Sequence, residues 1–171
     1  IKKYKKMIKF VYQNKPKGTG DALLKCAKLV KGNYFLFLLP DDLIIKKNCS
    51  REMIKLHKKY KSSIIASKKV SKKDVSRWGI FKIKKFKKNN FYIKDVVEKP
   101  VIKKAPSNYA VIGRYILPKN LFQILRKQKP GQGGELHITD GIRQLIKNRY
   151  KFIGHIFSGR YIDCGTMNGY I

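Results

Sequence analysis

Apolar residues run unbroken from Phe35 to Leu39 within the stretch Tyr34 to Ile45, and Pro40 with the adjacent Asp41 and Asp42 ends the run. A run of this kind reads as a strand covered on both faces, as in a parallel sheet lying between helices. Open α/β sheets place their ligands at the carboxyl ends of such strands. Two neighbouring carboxylates there are therefore candidates for chemistry as well as a polar exit into a loop.

Before this stretch, Ile8 to Gln13 alternates well enough to predict a strand, and Asn14 to Gly20 is a loop rich in Gly, Pro and Lys. Ala22, Leu23, Cys26, Ala27 and Val30 fall on one helical face. This predicts a helix entered from a Gly-x-Gly turn, whose free N–H groups could receive an anion or a base edge. Met53, Leu56, His57 and Tyr60 mark a second helix, capped near Ser50 with Glu52 in its first turn.

Farther on, Ser63 to Ser67 reads as a short apolar strand. Trp78 to Phe86 and Phe91 to Val97 form a hairpin around Lys87-Lys88-Asn89-Asn90. Tyr109 to Tyr115 is a strand, and Pro118 opens a helix carrying Leu121, Phe122 and Leu125. Another helix turns Ile142, Leu145 and Ile146 inward, and Phe152 to Phe157 and Tyr161 to Ile162 are short final strands. Alternation of strands with helices places the chain in the α/β class, and no repeat or linker divides its 171 residues.

Charge alters this picture less than its size suggests. There are 41 basic and 10 acidic residues, a formal net charge of +31. Nucleic acid, an anionic membrane or an acidic polymer could answer such a charge. The lysines are nevertheless spread from Lys2 to Lys151, and arginine, the better reader of grooves and phosphates, is scarce beside them. A biased composition laid over an ordinary surface accounts for this, so a nucleic-acid partner is not expected. Cys26, Cys49 and Cys164 contain no Cys-x-x-Cys pair and suit a reducing cytoplasm. His57, His137 and His155 lack metal-ligand spacing and read as surface or packing residues. No apolar stretch approaches the roughly 20 residues of a membrane span, and no signal peptide is visible. The chain starts at Ile1 and stops at Asn168-Gly169-Tyr170-Ile171, which reads as a piece of a longer protein, cut at both ends.

Seven blocks, taken together and in order, resemble one family. They are Gln13 with Lys17-Gly18-Thr19-Gly20-Asp21-Ala22, Leu39-Pro40-Asp41-Asp42, Trp78-Gly79-Ile80, Val97-Glu98-Lys99-Pro100, Pro106 to Tyr115, Gly133 to Asp140, and Tyr161-Ile162-Asp163-Cys164-Gly165. This set is similar to the bacterial UTP–glucose-1-phosphate uridylyltransferases, which are sugar nucleotidyltransferases. The resemblance implies a Rossmann-like nucleotidyltransferase domain over residues 1–171, with a mixed, mostly parallel sheet flanked by helices. It implies UTP and glucose 1-phosphate as substrates, UDP-glucose and pyrophosphate as products, and Mg²⁺ as cofactor.

Carried over position by position, Gln13 and Gly18 match residues that read the uracil. Asp41 matches a metal ligand, and Asp163 a second carboxylate on the same ion. Gly79, Glu98 and Val111 match positions around the glucose, and Lys99 the lysine facing the sugar phosphate. The complete protein is expected to be a cytoplasmic homo-oligomer. Two departures stand out. Asp21 replaces the family's usual histidine, and the family's first strand with its Gly-x-Gly-Thr-Arg loop, which grips the triphosphate, would precede Ile1. The chain alone is accordingly expected to be weak or inactive, with a sheet edge left uncovered.

The residues suit this chemistry without the resemblance. Displacement at an α-phosphorus needs positioning and charge neutralisation more than a covalent nucleophile, and a hard divalent ion on one or two carboxylates supplies both. Lys99 is a suitable point charge for a phosphate. Glu98 can accept bonds from sugar hydroxyls, provided the strand ends there, since successive strand residues face opposite ways. A glutamine amide such as Gln13 matches uracil and thymine equally. A thymidylyltransferase on the same sugar phosphate, a catalytically dead sugar-nucleotide binder, and a basic nucleic-acid-binding protein are the competing readings.

Overall fold

The computed structural model describes residues 2–165, so Ile1 and the Asn168–Ile171 terminus lie outside the described residues. Among the described residues there are eight strands and four α-helices. They are α1 (Thr19–Lys25), β1 (Tyr34–Leu38), β2 (Asp42–Ile45), α2 (Cys49–Tyr60), β3 (Ser63–Lys69), β4 (Gly79–Lys87), β5 (Asn90–Glu98), β6 (Tyr109–Pro118), α3 (Leu121–Lys127), α4 (Ile138–Lys147), β7 (Phe152–Ile156) and β8 (Arg160–Asp163). Six strands form one sheet in the order β1-β6-β3-β7-β5-β4, and β2 pairs with β8 in a separate ribbon.

The α/β class and the mixed sheet agree with the sequence. β6 is antiparallel to both β1 and β3, β3 is parallel to β7, and β5 is antiparallel to β7 and β4. Four of the six strands therefore run one way, with β6 and β5 opposed. The parallel alignment is mostly one of direction, because only β3 and β7 are parallel neighbours.

One face of the sheet packs on α1, α3 and α4 through Leu23, Leu121, Leu125, Ile142 and Leu145, all buried with Phe81, Phe91 and Phe152. The other face packs on α2, where Met53 meets Ile64, Ile112 and Ile153. The apolar spacing of α2 explains its place. Its start is fixed by Asn48, whose side chain accepts a hydrogen bond from the Arg51 N–H at 2.9 Å, two residues before the expected Ser50. Pro118 closes β6 rather than opening α3.

Two further expectations fail. β1 is an edge strand, not a strand buried on both faces. Phe35 and Phe37 pack inward, against Phe122 and Tyr115 at ring distances of 5.1 and 5.5 Å, while Tyr34, Leu36 and Leu38 stay exposed. An apolar run does not reveal how many of its faces are covered; that depends on neighbours. Ile8 to Gln13 forms no strand, since no ladder partner stands beside it among the described residues, and Phe10 and Tyr12 are largely exposed. No helix among the described residues is long and apolar enough to cross a membrane.

Candidate active site

The loop after β1 is held from every side. The Leu39 N–H donates to the Gly113 carbonyl at 2.8 Å, and the Arg114 guanidinium donates to the Leu39 carbonyl at 2.6 Å. Asp42, the second acid of the pair, turns inward and is buried. It accepts from the Gly113 N–H at 2.6 Å and, through its other oxygen, from the Tyr161 hydroxyl. A side chain at position 113 would collide with the Asp42 carboxylate and with Leu39, so glycine alone lets β6 approach the loop.

Burial pushes the Asp42 carboxyl above the usual aspartate range, against the opposing pull of the Tyr161 and Gly113 hydrogen bonds. Burial, with the Asp42 hydrogen bond and charge, also pushes the Tyr161 phenol up, so Tyr161 remains an O–H donor. Asp42 is thus a structural pin, and with its side chain turned inward Asp41 is left to face solvent.

Asp41 and Asp163 come together. The Cys164 N–H donates to the Asp41 carbonyl at 2.8 Å, and Asp42 and Asp163 are opposite partners in the β2–β8 ribbon. One oxygen of Asp41 lies 3.2 Å, and one of Asp163 3.3 Å, from the point where a Cβ on Gly165 would sit. Glycine at 165 therefore leaves a gap that both carboxylates face. Among the described residues no cluster of three His, Cys, Asp or Glu side chains has the geometry to hold a metal. A pair of carboxylate ligands fits a hard divalent ion that keeps waters and substrate phosphates as its other ligands, the habit of Mg²⁺.

The two acids belong to a cavity of about 490 Å³ that also takes in Gly79, Glu98, Lys99 and Val111. Gly79 faces Glu98 across the hairpin ladder. A Cβ on Gly79 would lie 3.2 Å from a Glu98 oxygen and from Val111, and 3.3 Å from Thr139. Those groups surround one small space that glycine leaves open. β5 does end at Glu98: Lys99 takes a left-handed conformation (φ 41°), its N–H donates to the Trp78 carbonyl at 3.0 Å, and it lines the same cavity as its neighbour. Five of the ten acidic residues of this basic chain, Asp41, Asp42, Glu98, Glu135 and Asp163, line this one cavity.

Gln13 and Gly18 are adjacent to each other but stand outside it. The Gln13 amide donates to Asp21 at 2.7 Å and to the Gly18 carbonyl at 3.3 Å, in a separate depression with Tyr12, Lys17 and Lys25. Asp21, the residue that departs from the resemblance, thus engages the amide expected to read a base. Nor is the Gly-x-Gly turn fully open to a ligand. The Gly20 N–H donates to the Leu136 carbonyl at 2.7 Å, and the Leu136 N–H to the Lys17 carbonyl at 2.8 Å. This braid brings the loop before α4 alongside, and Thr19, next to Gly18, reaches the cavity wall with Glu135 and His137.

Sequence reasoning missed Arg77, which lines the cavity and pairs with Asp163 at 3.2 Å, and it gave Asp42 no separate part. The apolar, β-branched run Leu43-Ile44-Ile45 after Asp42 carried the signal of a strand there; nothing marked Arg77. His137 lines the cavity, and His155 is a buried polar residue held between Asn90 and Glu52 at 2.9 and 2.8 Å. His155 is thus a packing residue, as the sequence suggests, while His137 borders the cavity.

The whole chain, residues 1–171, matches the family model described as Nucleotidyl transferase. It is 34% identical over 165 residues to UTP–glucose-1-phosphate uridylyltransferase of Pseudomonas aeruginosa, a match taking in 95% of this chain and 59% of that protein. Identity to the Streptococcus pyogenes protein of the same name is 35% over 170 residues, covering 96% of this chain and 56% of the other. The crystal structure of UDP-glucose pyrophosphorylase complexed with UDP-glucose superposes with a TM-score of 0.90 at 40% identity, over 95% of this chain and 63% of that one. The chain spans less than two thirds of the length of these relatives.

Proposed function

The chain belongs to the nucleotidyl transferase family, and on that premise we propose that the protein carrying it transfers a uridylyl group from UTP to glucose 1-phosphate, giving UDP-glucose and pyrophosphate. A phosphate oxygen of the sugar phosphate attacks the α-phosphorus of UTP, and the bond to the β-phosphate oxygen breaks as pyrophosphate departs. No side chain has to form a covalent bond, so what the protein supplies is position and charge.

The observation that carries this reading is the meeting of Asp41 and Asp163 at the gap left by Gly165, in the same cavity that Gly79, Glu98, Lys99 and Val111 line. Two carboxylates facing one gap in a protein of net charge +31 offer a place for a cation. Asp41 and Asp163 would hold Mg²⁺, which when bound offsets phosphate charge at the reacting centre. Lys99 draws in the phosphate of the attacking sugar, while Glu98 accepts bonds from its hydroxyls beside the space left by Gly79 and Val111. Gln13 and Gly18, with Thr19 beyond them, are assigned to the base end. Gln13 reads a base only after its amide leaves Asp21. We place the reaction in the cytoplasm, in keeping with three free cysteines.

Asp41→Asn in the intact protein is the direct test. It keeps shape and removes charge, so Mg²⁺-dependent release of pyrophosphate should fall by a factor of about a hundred to a thousand, with an unchanged thermal unfolding midpoint. Turnover at the wild-type rate would reject the metal assignment.

A further inference from the structure

Arg77 stands at the end of the short 3-10 segment Lys72–Arg77, immediately before Trp78 and Gly79. Its guanidinium donates to one oxygen of Asp163 at 3.2 Å, while the other Asp163 oxygen accepts the Gly165 N–H at 3.1 Å. That second oxygen is the one that faces the gap shared with Asp41. The guanidinium carbon also lies 5.7 Å from the centre of the Trp78 ring, and its side chain is half exposed, so it is free to change partners.

We propose that Arg77 is a built-in counter-ion that competes with a bare divalent cation for Asp163 and yields the carboxylate when phosphates arrive to engage the guanidinium instead. The inference rests on the metal reading given above. Its physical basis is simple. A fixed positive charge on one oxygen of a carboxylate repels a second cation approaching the other oxygen, whereas a cation arriving with a polyphosphate brings anions that a guanidinium prefers. Arg77 thereby favours the ion that comes with the nucleotide over the ion alone. It is a positioning residue, acting on the cation through Asp163.

Two readouts independent of turnover test this. The first is Mn²⁺ affinity, followed by loss of the free-ion EPR signal in the absence of nucleotide. Arg77→Ala should bind Mn²⁺ roughly threefold to fivefold more tightly than wild type, the scale set by a half-exposed charge pair, and Arg77→Lys should stay near wild type. Equal or weaker binding by Arg77→Ala would overturn the inference while leaving the metal site standing. If neither protein bound Mn²⁺, the metal reading itself would fall, and the inference with it.

The second readout uses Trp78, the only tryptophan of the chain. Departure of the guanidinium from its ring should change its emission when Mg²⁺ is added with tripolyphosphate, and Arg77→Ala should abolish that change. An identical change in both proteins would show that Arg77 does not move.

Discussion

Asp41 and Asp42 are chemically identical neighbours with opposite surroundings. Asp42 is taken out of water and held by Gly113 and Tyr161, and Asp41 is left facing the cavity. Removing the Tyr161 hydroxyl strands one buried carboxylate oxygen, so Tyr161→Phe should destabilise the fold by roughly 1–3 kcal/mol, measured by urea unfolding. If Asp42 did not depend on this bond, the loss would be within error. Lys99 offers a complementary test. A left-handed residue other than glycine costs about 1–2 kcal/mol, partly offset in a glycine by its larger unfolded-state entropy. Lys99→Gly should therefore be as stable as wild type or up to roughly 1 kcal/mol more stable, yet show a raised KM for the sugar phosphate. Lower stability together with an unchanged KM would mean that the lysine serves packing and not the substrate. The paired acids at the end of β1 stood out in a lysine-rich sequence, whereas Glu98, Lys99 and Asp163 were singled out by the family resemblance, and the structure brings them to one cavity. Arg77 was not legible, since one more basic residue among 41 carries no signal until its partner is known.

Elements join through polar contacts that no periodicity announces. Glu52 at the start of α2 accepts from His155 at the end of β7 and from Ser158 just beyond it, both at 2.8 Å, and His155 is bonded in turn to Asn90 at the start of β5. Burial pushes the Glu52 carboxyl up. The His155 and Ser158 hydrogen bonds and the His155 charge outweigh that and hold it below its ordinary value of 4.5. A lowered acid contributes stability above its ordinary pKa and loses that contribution as pH falls through the lowered value. Glu52→Gln should then cost about 1–2 kcal/mol near neutrality, a difference that shrinks towards zero as the pH is taken down past 4.5. Unfolding curves at several pH values would reveal it; a gap that persisted unchanged into acid would exclude the ionised carboxylate as its source. Helix and strand types were readable from apolar spacing nearly throughout. Strand neighbours were not, which is why β1 was expected in the interior and a strand was expected at Ile8 to Gln13.

For the molecule as a whole, two features oppose each other. β1 carries β6 on one edge and no strand on the other among the described residues, and Leu36 and Leu38 on it are 39% and 45% exposed. An apolar edge of this kind is a template for pairing with a second copy. The net charge of +31 drives copies apart, but only over the reach that salt allows, about 10 Å at 0.1 M and about 3 Å at 1 M. The 171-residue chain should therefore stay monomeric in dilute buffer and self-associate as sodium chloride is raised, a dependence that light scattering behind a sizing column would record. Leu36→Lys puts a charge on the edge strand and should move the onset to markedly higher salt, whereas the same change at the exposed Val101 should not. Association that ignored salt, or that responded equally to both substitutions, would place the contact elsewhere. The same screening also separates the two explanations of the charge. If the lysines served a polynucleotide, affinity for it would fall steeply with salt and be substantial at physiological strength. Lysines that merely decorate the surface leave solubility as their main effect, and polynucleotide affinity at physiological strength would then be slight.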